Sequence, residues 1–252
     1  MLDIITVRGT GERFNNRSNM LSYVTAALDP DKFRVLGDLS YPASVGPVGA
    51  GTILGDSEDN SVTVGIANLA EMIRSTPNPV GVLGYSLGAE VVSRFAEAQC
   101  RGAHADCEVA FTACIANPSR REGDSIDPRS YGFGINGEHA AFPDRPHFEA
   151  ASPNDVITSC AAGSPLRNLA VTMSSFGLAA LGGWNAAMVD GVRRGRFQLT
   201  SLGWWRHPVQ TWNLYADAAA DITGYLTGEH TTVYIRNGYP ERLAGVINQA
   251  IG

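Results

Sequence analysis

The residues best suited to covalent chemistry are five consecutive ones, Gly-Tyr-Ser-Leu-Gly at positions 84–88. An apolar run at 80–83 precedes them and a strongly helical run at 89–98 follows. A serine flanked by glycines between a strand and a helix is typical of a nucleophile elbow, a turn so sharp that only small residues fit two positions before and after the serine. Because the chain has 28 glycines, the five-residue pattern can arise by chance and is weak evidence by itself. The interpretation therefore depends on the partners of Ser86.

A serine hydroxyl needs a histidine as base and a carboxylate that orients the histidine. In α/β-hydrolases the acid and then the histidine follow the serine, each on a loop after a strand. His230 precedes a short apolar run and the last predicted helix, where this order places the base, and His207 is the alternative. His104 follows the elbow helix and so lies at the wrong end of the sheet, whereas His139 and His147 fall in a long loop and at a strand start.

The predicted acid is Asp155, which lies in a Pro-Asn-Asp turn just past a strand that begins at residue 147. An aspartate in such a turn often only caps its own backbone, but its place after a strand and before the histidine favours a catalytic role. The alternatives are three aspartates of the preceding loop, Asp124, Asp127 and Asp144.

Acyl transfer also needs donors for the developing oxyanion. The elbow supplies the backbone N–H of Leu87, and the glycine-rich turn after the first strand offers Thr10 as the second donor. The Gly9-x-Gly11 pattern also suggests a dinucleotide fingerprint, but Phe14 occupies the third glycine position. Motifs for a metal or a nucleotide are lacking as well, so the sequence implies no cofactor and no metal.

Strands and helices alternate along the chain, which predicts an α/β fold with a mostly parallel sheet. Short β-branched or apolar runs predict strands, and apolar residues at helical spacing predict helices. The predicted strands are 4–7, 33–36, 80–83, 109–115 and 147–151; the predicted helices are 19–28, 61–75, 89–98 and 240–251. Residues 119–146 are expected to form a long ordered loop.

Residues 161–228 differ from the rest, because they contain all four tryptophans and no convincing strand. We interpret them as a helical insertion or lid within a single domain formed by 1–160 and 229–252. The β-branched run at 231–235 indicates a return to the sheet. An aromatic stripe at helical spacing is often simply core, but Trp204, Trp205 and Trp212 are candidates for contacts with an apolar substrate.

The composition excludes some function classes. A net charge of −6 disfavours nucleic-acid binding, and no stretch is apolar enough to predict a membrane span. The N-terminus has no signal-peptide pattern, so we expect synthesis in the cytoplasm. Free thiols are then expected for the four cysteines, with Cys100 and Cys107 the pair that would bridge under oxidising conditions.

Two blocks carry a resemblance to a known family. Residues 6–12 (Thr-Val-Arg-Gly-Thr-Gly-Glu), together with residues 84–88, resemble the cutinase-like serine esterases of actinobacteria and their phages, and the first block also occurs in mycobacterial PE-PPE esterases. Residues 116–123 (Ala-Asn-Pro-Ser-Arg-Arg-Glu-Gly) and the segment between acid and histidine are more similar to the mycobacteriophage lysin B branch.

The resemblance implies an α/β-hydrolase in which Ser86 is the nucleophile, Asp155 the acid, His230 the base and Thr10 an oxyanion donor. It implies cleavage of the ester between mycolic acids and arabinogalactan after release at host lysis. Secreted cutinases bracket the acid with two cysteines, whereas this chain has Ser152 before Asp155 and only Cys160 after it. A general lipase and a catalytically silent envelope-binding module are the alternative functions.

Overall fold

The centre of the fold is a parallel β-sheet. In a computed structural model, which describes residues 1–44, 58–164, 166–167 and 228–251, this sheet has five strands in the order β2-β1-β3-β4-β5. All adjacent strands are parallel. The strands are β1 (Leu2–Val7), β2 (Phe33–Asp38), β3 (Val80–Tyr85), β4 (Val109–Ile115) and β5 (His147–Ala150). The predicted parallel sheet is therefore confirmed.

Helices cover both faces of the sheet, as a buried parallel sheet requires. On one face α1 (Met20–Ala27) packs against α5 (Tyr239–Ala250), and their apolar side chains join Leu83 and Phe111 in one core cluster. On the other face α2 (Glu58–Arg74) packs against α3 (Leu87–Cys100) over a second cluster. Among the described residues, no helix combines the length and apolarity that a membrane crossing needs.

The strand register brings four loops to one edge of the sheet. Val7 pairs with Gly84, Tyr85 with Ile115, and Ile115 with Ala150, so the carboxyl ends of β1, β3, β4 and β5 are level. All six residues of β3, the central strand, are buried. In parallel α/β sheets, ligands bind beyond the carboxyl ends of the strands, so this edge is where a site is expected.

One predicted element was wrong. The β-branched run at 231–235 does not extend the sheet but forms a short helix, α4 (Thr232–Arg236). Five residues are too few for a reliable periodicity, and β-propensity yields readily to tertiary context. In the helical turn Val233 and Tyr234 are both buried against the domain.

The predicted insertion and the predicted cysteine pairing remain to be compared with the structure. The predicted helical insertion at 161–228 lies almost entirely outside the described residues. Its division from the rest of the domain therefore stays a prediction. All four cysteines are described, and no disulfide joins them; Cys100 is exposed whereas Cys107 is buried.

Candidate active site

Ser86 lies on a strained turn between β3 and α3. Its backbone has φ 53° and ψ −119°, a conformation that non-glycine residues rarely adopt. A Cβ on Gly88 would lie 1.9 Å from the carbonyl oxygen of Val7, and one on Gly84 would lie 2.6 Å from the Cα of Ala89. The two glycines of the motif are therefore needed for close backbone approach, as the elbow interpretation requires.

The structure brings Ser86, His230 and Asp155 into one hydrogen-bonded chain. Oγ of Ser86 lies 2.8 Å from Nε2 of His230, and Nδ1 of His230 lies 2.9 Å from Oδ2 of Asp155. Because an ionised carboxylate only accepts, Nδ1 carries the ring proton and Nε2 is left to accept from the serine hydroxyl. His230 and Asp155 are both buried, and Ser86 is partly exposed. This arrangement can activate a serine for nucleophilic attack.

Tyr234 is a site residue that the sequence analysis missed. Its hydroxyl, fully buried, donates to Oδ2 of Asp155 at 2.8 Å and accepts from the backbone N–H of Ser152 at 2.9 Å. The other carboxylate oxygen of Asp155 accepts from the N–H of Ile157 at 3.1 Å. Tyr234 therefore ties the helix after His230 to the loop that carries the acid. No motif marks it, because its role depends on α4 being helical.

Tyr85, next to the serine, also contacts the histidine. Its hydroxyl donates to the carbonyl oxygen of His230 at 2.8 Å, and the two rings stack with centroids 5.8 Å apart. The position beside Ser86 in the motif was the only sequence signal for this contact. Tyr85 thus fixes the backbone of His230 relative to the elbow.

The turn after β1 runs directly past the elbow. A Cβ on Gly9 would lie 3.2 Å from the carbonyl oxygen of Tyr85, so the two backbones are nearly in contact. The next residue, Thr10, has a buried Oγ1 with no hydrogen-bond partner among the described residues. Leu87 is the first residue of α3, and the first N–H groups of a helix have no partner within the helix. Thr10 Oγ1 and the first N–H groups of α3 are therefore the candidate oxyanion donors at the elbow.

Two charged side chains hold this turn in shape, which explains the spacing of the block at 6–12. The guanidinium of Arg8, itself buried, donates to the carbonyls of Leu39 (2.9 Å) and Tyr41 (2.7 Å). The carboxylate of Glu12 accepts from the N–H of Gly9 at 2.9 Å and from the N–H of Met20, at the start of α1, at 2.7 Å. The turn that presents Thr10 is thus fixed from both ends.

The alternative acids and bases lie in other environments. Asp127 binds Arg129 (2.7 Å) and the hydroxyl of Tyr239 (2.6 Å), and hydrogen bonding to Arg129 holds the pKa of Asp127 well below its usual value. His104 stacks on Phe95 after α3. The remaining alternatives in the described residues contact neither Ser86 nor His230: Asp124 faces Arg121, Asp144 is exposed, and His139 and His147 both contact Glu149. His207, Trp204, Trp205 and Trp212 lie outside the described residues.

Comparison with known proteins places these features in context. A family model described as the PE-PPE domain matches residues 35–128, a stretch that includes Ser86 but neither Asp155 nor His230. None of the curated protein sequences compared with the chain gives a significant match.

The similar solved structures include the following three. Lysin B from mycobacteriophage D29 is 18% identical, with a TM-score of 0.47 over 64% of this chain and 68% of that one. A cutinase-like protein from Cryptococcus sp. is 19% identical, with a TM-score of 0.48 over 69% and 87% of the two chains. A pyrethroid hydrolase from Sphingobium faniae JZ-2 is 18% identical, with a TM-score of 0.31 over 51% and 44%. The fold of this chain is that of an α/β-hydrolase, because a five-stranded parallel sheet carries a strained serine turn between β3 and α3.

Proposed function

We propose that the chain is a serine hydrolase of the esterase or lipase kind, with Ser86 as nucleophile, His230 as base and Asp155 as acid. The observation that carries the proposal is the hydrogen-bonded chain from Ser86 through His230 to Asp155, starting at a strained elbow. The match of residues 35–128 to the PE-PPE domain, together with the resemblance of residues 6–12 to PE-PPE esterases, supports the same reaction class.

The proposed mechanism is a two-step acyl transfer. Ser86 attacks the ester carbonyl while Nε2 of His230 takes the hydroxyl proton, and Asp155 stabilises the resulting imidazolium. The N–H groups of Leu87 and Thr10, with the Thr10 hydroxyl, bind the oxyanion of the tetrahedral intermediate. His230 then gives its proton to the leaving alcohol. Water, activated by the same imidazole, hydrolyses the acyl-enzyme and releases the carboxylic acid.

A fluorophosphonate probe tests this proposal, because it reacts with a serine only when the serine is activated. We expect labelling of about one site per chain, at Ser86, measured by intact mass and peptide mapping. The Ser93→Ala variant, which removes another buried serine from α3, should label like the wild type. An unlabelled Ser86 in folded protein would instead favour the silent envelope-binding module.

For the substrate we propose the ester that joins mycolic acids to arabinogalactan. The support is the sequence resemblance of residues 116–123, and of the segment between acid and histidine, to the lysin B branch. The experiment compares release of mycolic acids from purified mycolyl-arabinogalactan with hydrolysis of tributyrin. Preferential release of mycolic acids supports the proposal, whereas hydrolysis of tributyrin alone would make the chain a general lipase.

A further inference from the structure

A second cluster of chemically reactive side chains lies at the outer strand of the sheet, apart from Ser86. His147 and Glu149 are two residues apart on β5, so their side chains lie on the same face of the strand. His139 reaches this face from the loop at 119–146. Nε2 of His139 and Nε2 of His147 lie 3.3 and 3.0 Å from Oε1 of Glu149. All three side chains are at least nine-tenths buried.

Each histidine has its other ring nitrogen held by a hydrogen-bonding partner. Nδ1 of His139 lies 2.7 Å from the carbonyl oxygen of Ala140, and Nδ1 of His147 lies 2.7 Å from Oγ1 of Thr112. Metal-binding histidines almost always show this arrangement, in which one nitrogen is anchored to an oxygen and the other faces the metal. The two imidazoles are therefore oriented so that both Nε2 atoms face one carboxylate.

Two polar atoms of the cluster have no hydrogen-bond partner in the described part of the chain. These are Nε2 of His139 and Oε2 of Glu149. Because a carbonyl only accepts, Nδ1 of His139 carries the ring proton, and in the neutral ring Nε2 presents a lone pair toward Oε1 of Glu149. Two lone pairs 3.3 Å apart in a buried site repel each other, so this contact requires a cation or a second ring proton.

From these contacts we propose that His139, His147 and Glu149 form a structural site for a divalent transition-metal ion, with zinc the best fit. The ligand atoms of the three residues all lie within 4.8 Å of one another. Zinc bonds of about 2.0–2.1 Å in tetrahedral geometry place neighbouring ligand atoms roughly 3.3 Å apart, close to both nitrogen–oxygen distances. The unpartnered Oε2 of Glu149 is available for a further contact. Two imidazoles and one carboxylate match the donor preference of zinc.

Such an ion would hold the end of a long loop against the strand that follows it. It would fasten the long loop at 119–146 to β5, whose end leads into the acid loop at 151–155. Asn117, two residues after the end of β4, donates to Oε1 of Glu149 at 2.6 Å and so connects the same carboxylate to the loop that follows the neighbouring strand. The ion has no part in the proposed acyl transfer, because its ligands contact neither Ser86 nor His230.

The test measures zinc binding by the full-length protein. Untagged protein is stripped with a chelator, titrated with zinc against a chromophoric competitor, and analysed for bound metal after gel filtration. We expect about one tightly held zinc per chain, at least roughly tenfold weaker binding in the Glu149→Gln and His139→Gln variants, and unchanged binding in His104→Gln. Cobalt in the same site should give the visible spectrum of a tetrahedral ion.

A second readout needs no variant at the site. Zinc should raise the melting temperature of stripped wild-type protein, and a chelator should reverse the shift. If stripped wild-type protein binds no zinc and its melting temperature does not respond, the cluster is a proton-linked histidine–glutamate network and the proposal is wrong. Equal loss of binding in His104→Gln would also contradict it, because that histidine lies elsewhere.

Discussion

The hydroxyl of Tyr234 and Nδ1 of His230 bind the same oxygen, Oδ2 of Asp155, at 2.8 and 2.9 Å. The acid that orients the proposed base is thus itself held by a residue of the helix that follows the base. Since α4 begins two residues after His230, a single short segment supplies both groups. Tyr234 is therefore a positioning residue, and it acts through Asp155.

The Tyr234→Phe variant tests this positioning role. Loss of the hydroxyl removes one hydrogen bond from the carboxylate, and we expect kcat for a soluble ester to fall roughly tenfold while KM is unchanged. Tyr239→Phe is the matched control, since the Tyr239 hydroxyl is also buried and also binds an aspartate, Asp127, outside the site. A similar fall in kcat for both variants would show only a general loss of packing.

The contribution of the Thr10 hydroxyl to oxyanion binding can be measured as a change in kcat. The Thr10→Val variant keeps the shape of the side chain and removes the donor, so we expect kcat to fall roughly 10²-fold, with Thr10→Ser retaining most of the activity. Wild-type kcat in Thr10→Val would contradict the role of the hydroxyl and leave only the backbone N–H of Thr10 as donor.

Gly88 is required by the close approach of α3 to β1. In Gly88→Ala the new Cβ would collide with the backbone carbonyl of Val7, so we expect a loss of at least about 1–3 kcal/mol in the free energy of unfolding. Gly245→Ala provides the control, because a Cβ there meets nothing within 4 Å and Gly245 lies inside α5. We expect that variant to be about 0.5–1 kcal/mol more stable than the wild type. Denaturant unfolding of both variants measures the contrast.

Asp3 should make stability depend on pH in the acid range. Hydrogen bonds from Arg34, outweighing burial, lower the pKa of this carboxyl from 3.8 to about 2. A depressed folded-state pKa gives stability that is fully present above 3.8 and is lost as the pH falls toward about 2. Because Arg34 is half exposed, we expect Asp3→Asn to cost only about 1–2 kcal/mol at neutral pH.

The control for that measurement is Asp106→Asn, which breaks an exposed pair with Arg74. The stability of the Asp106→Asn variant should be close to that of the wild type at every pH, because solvent screens the exposed pair. The difference between wild type and Asp3→Asn should shrink between pH 3.8 and about 2. A difference that stays constant across this range would show that the ionised Asp3 adds no stability.

The sequence predicted local features better than distant contacts. The elbow was predictable because its strand, glycines, serine and helix are neighbours in the chain, and the parallel sheet followed from alternating patterns. The contact of Tyr234 with Asp155 was not predictable, because the two residues are 79 positions apart and the contact depends on a helix in a β-branched run. His139 and Glu149 are close in the chain, but their contact depends on the irregular path of the loop before β5, which no helical or strand periodicity predicts.

The most direct test of the central claim is the rate of ester hydrolysis by Ser86→Ala. The variant removes only the hydroxyl that lies 2.8 Å from His230, and its melting temperature should match that of the wild type. We predict that kcat/KM for a p-nitrophenyl ester falls roughly 10⁴- to 10⁶-fold. A folded variant whose kcat/KM stays within about tenfold of the wild type would contradict the assignment of Ser86 as the nucleophile.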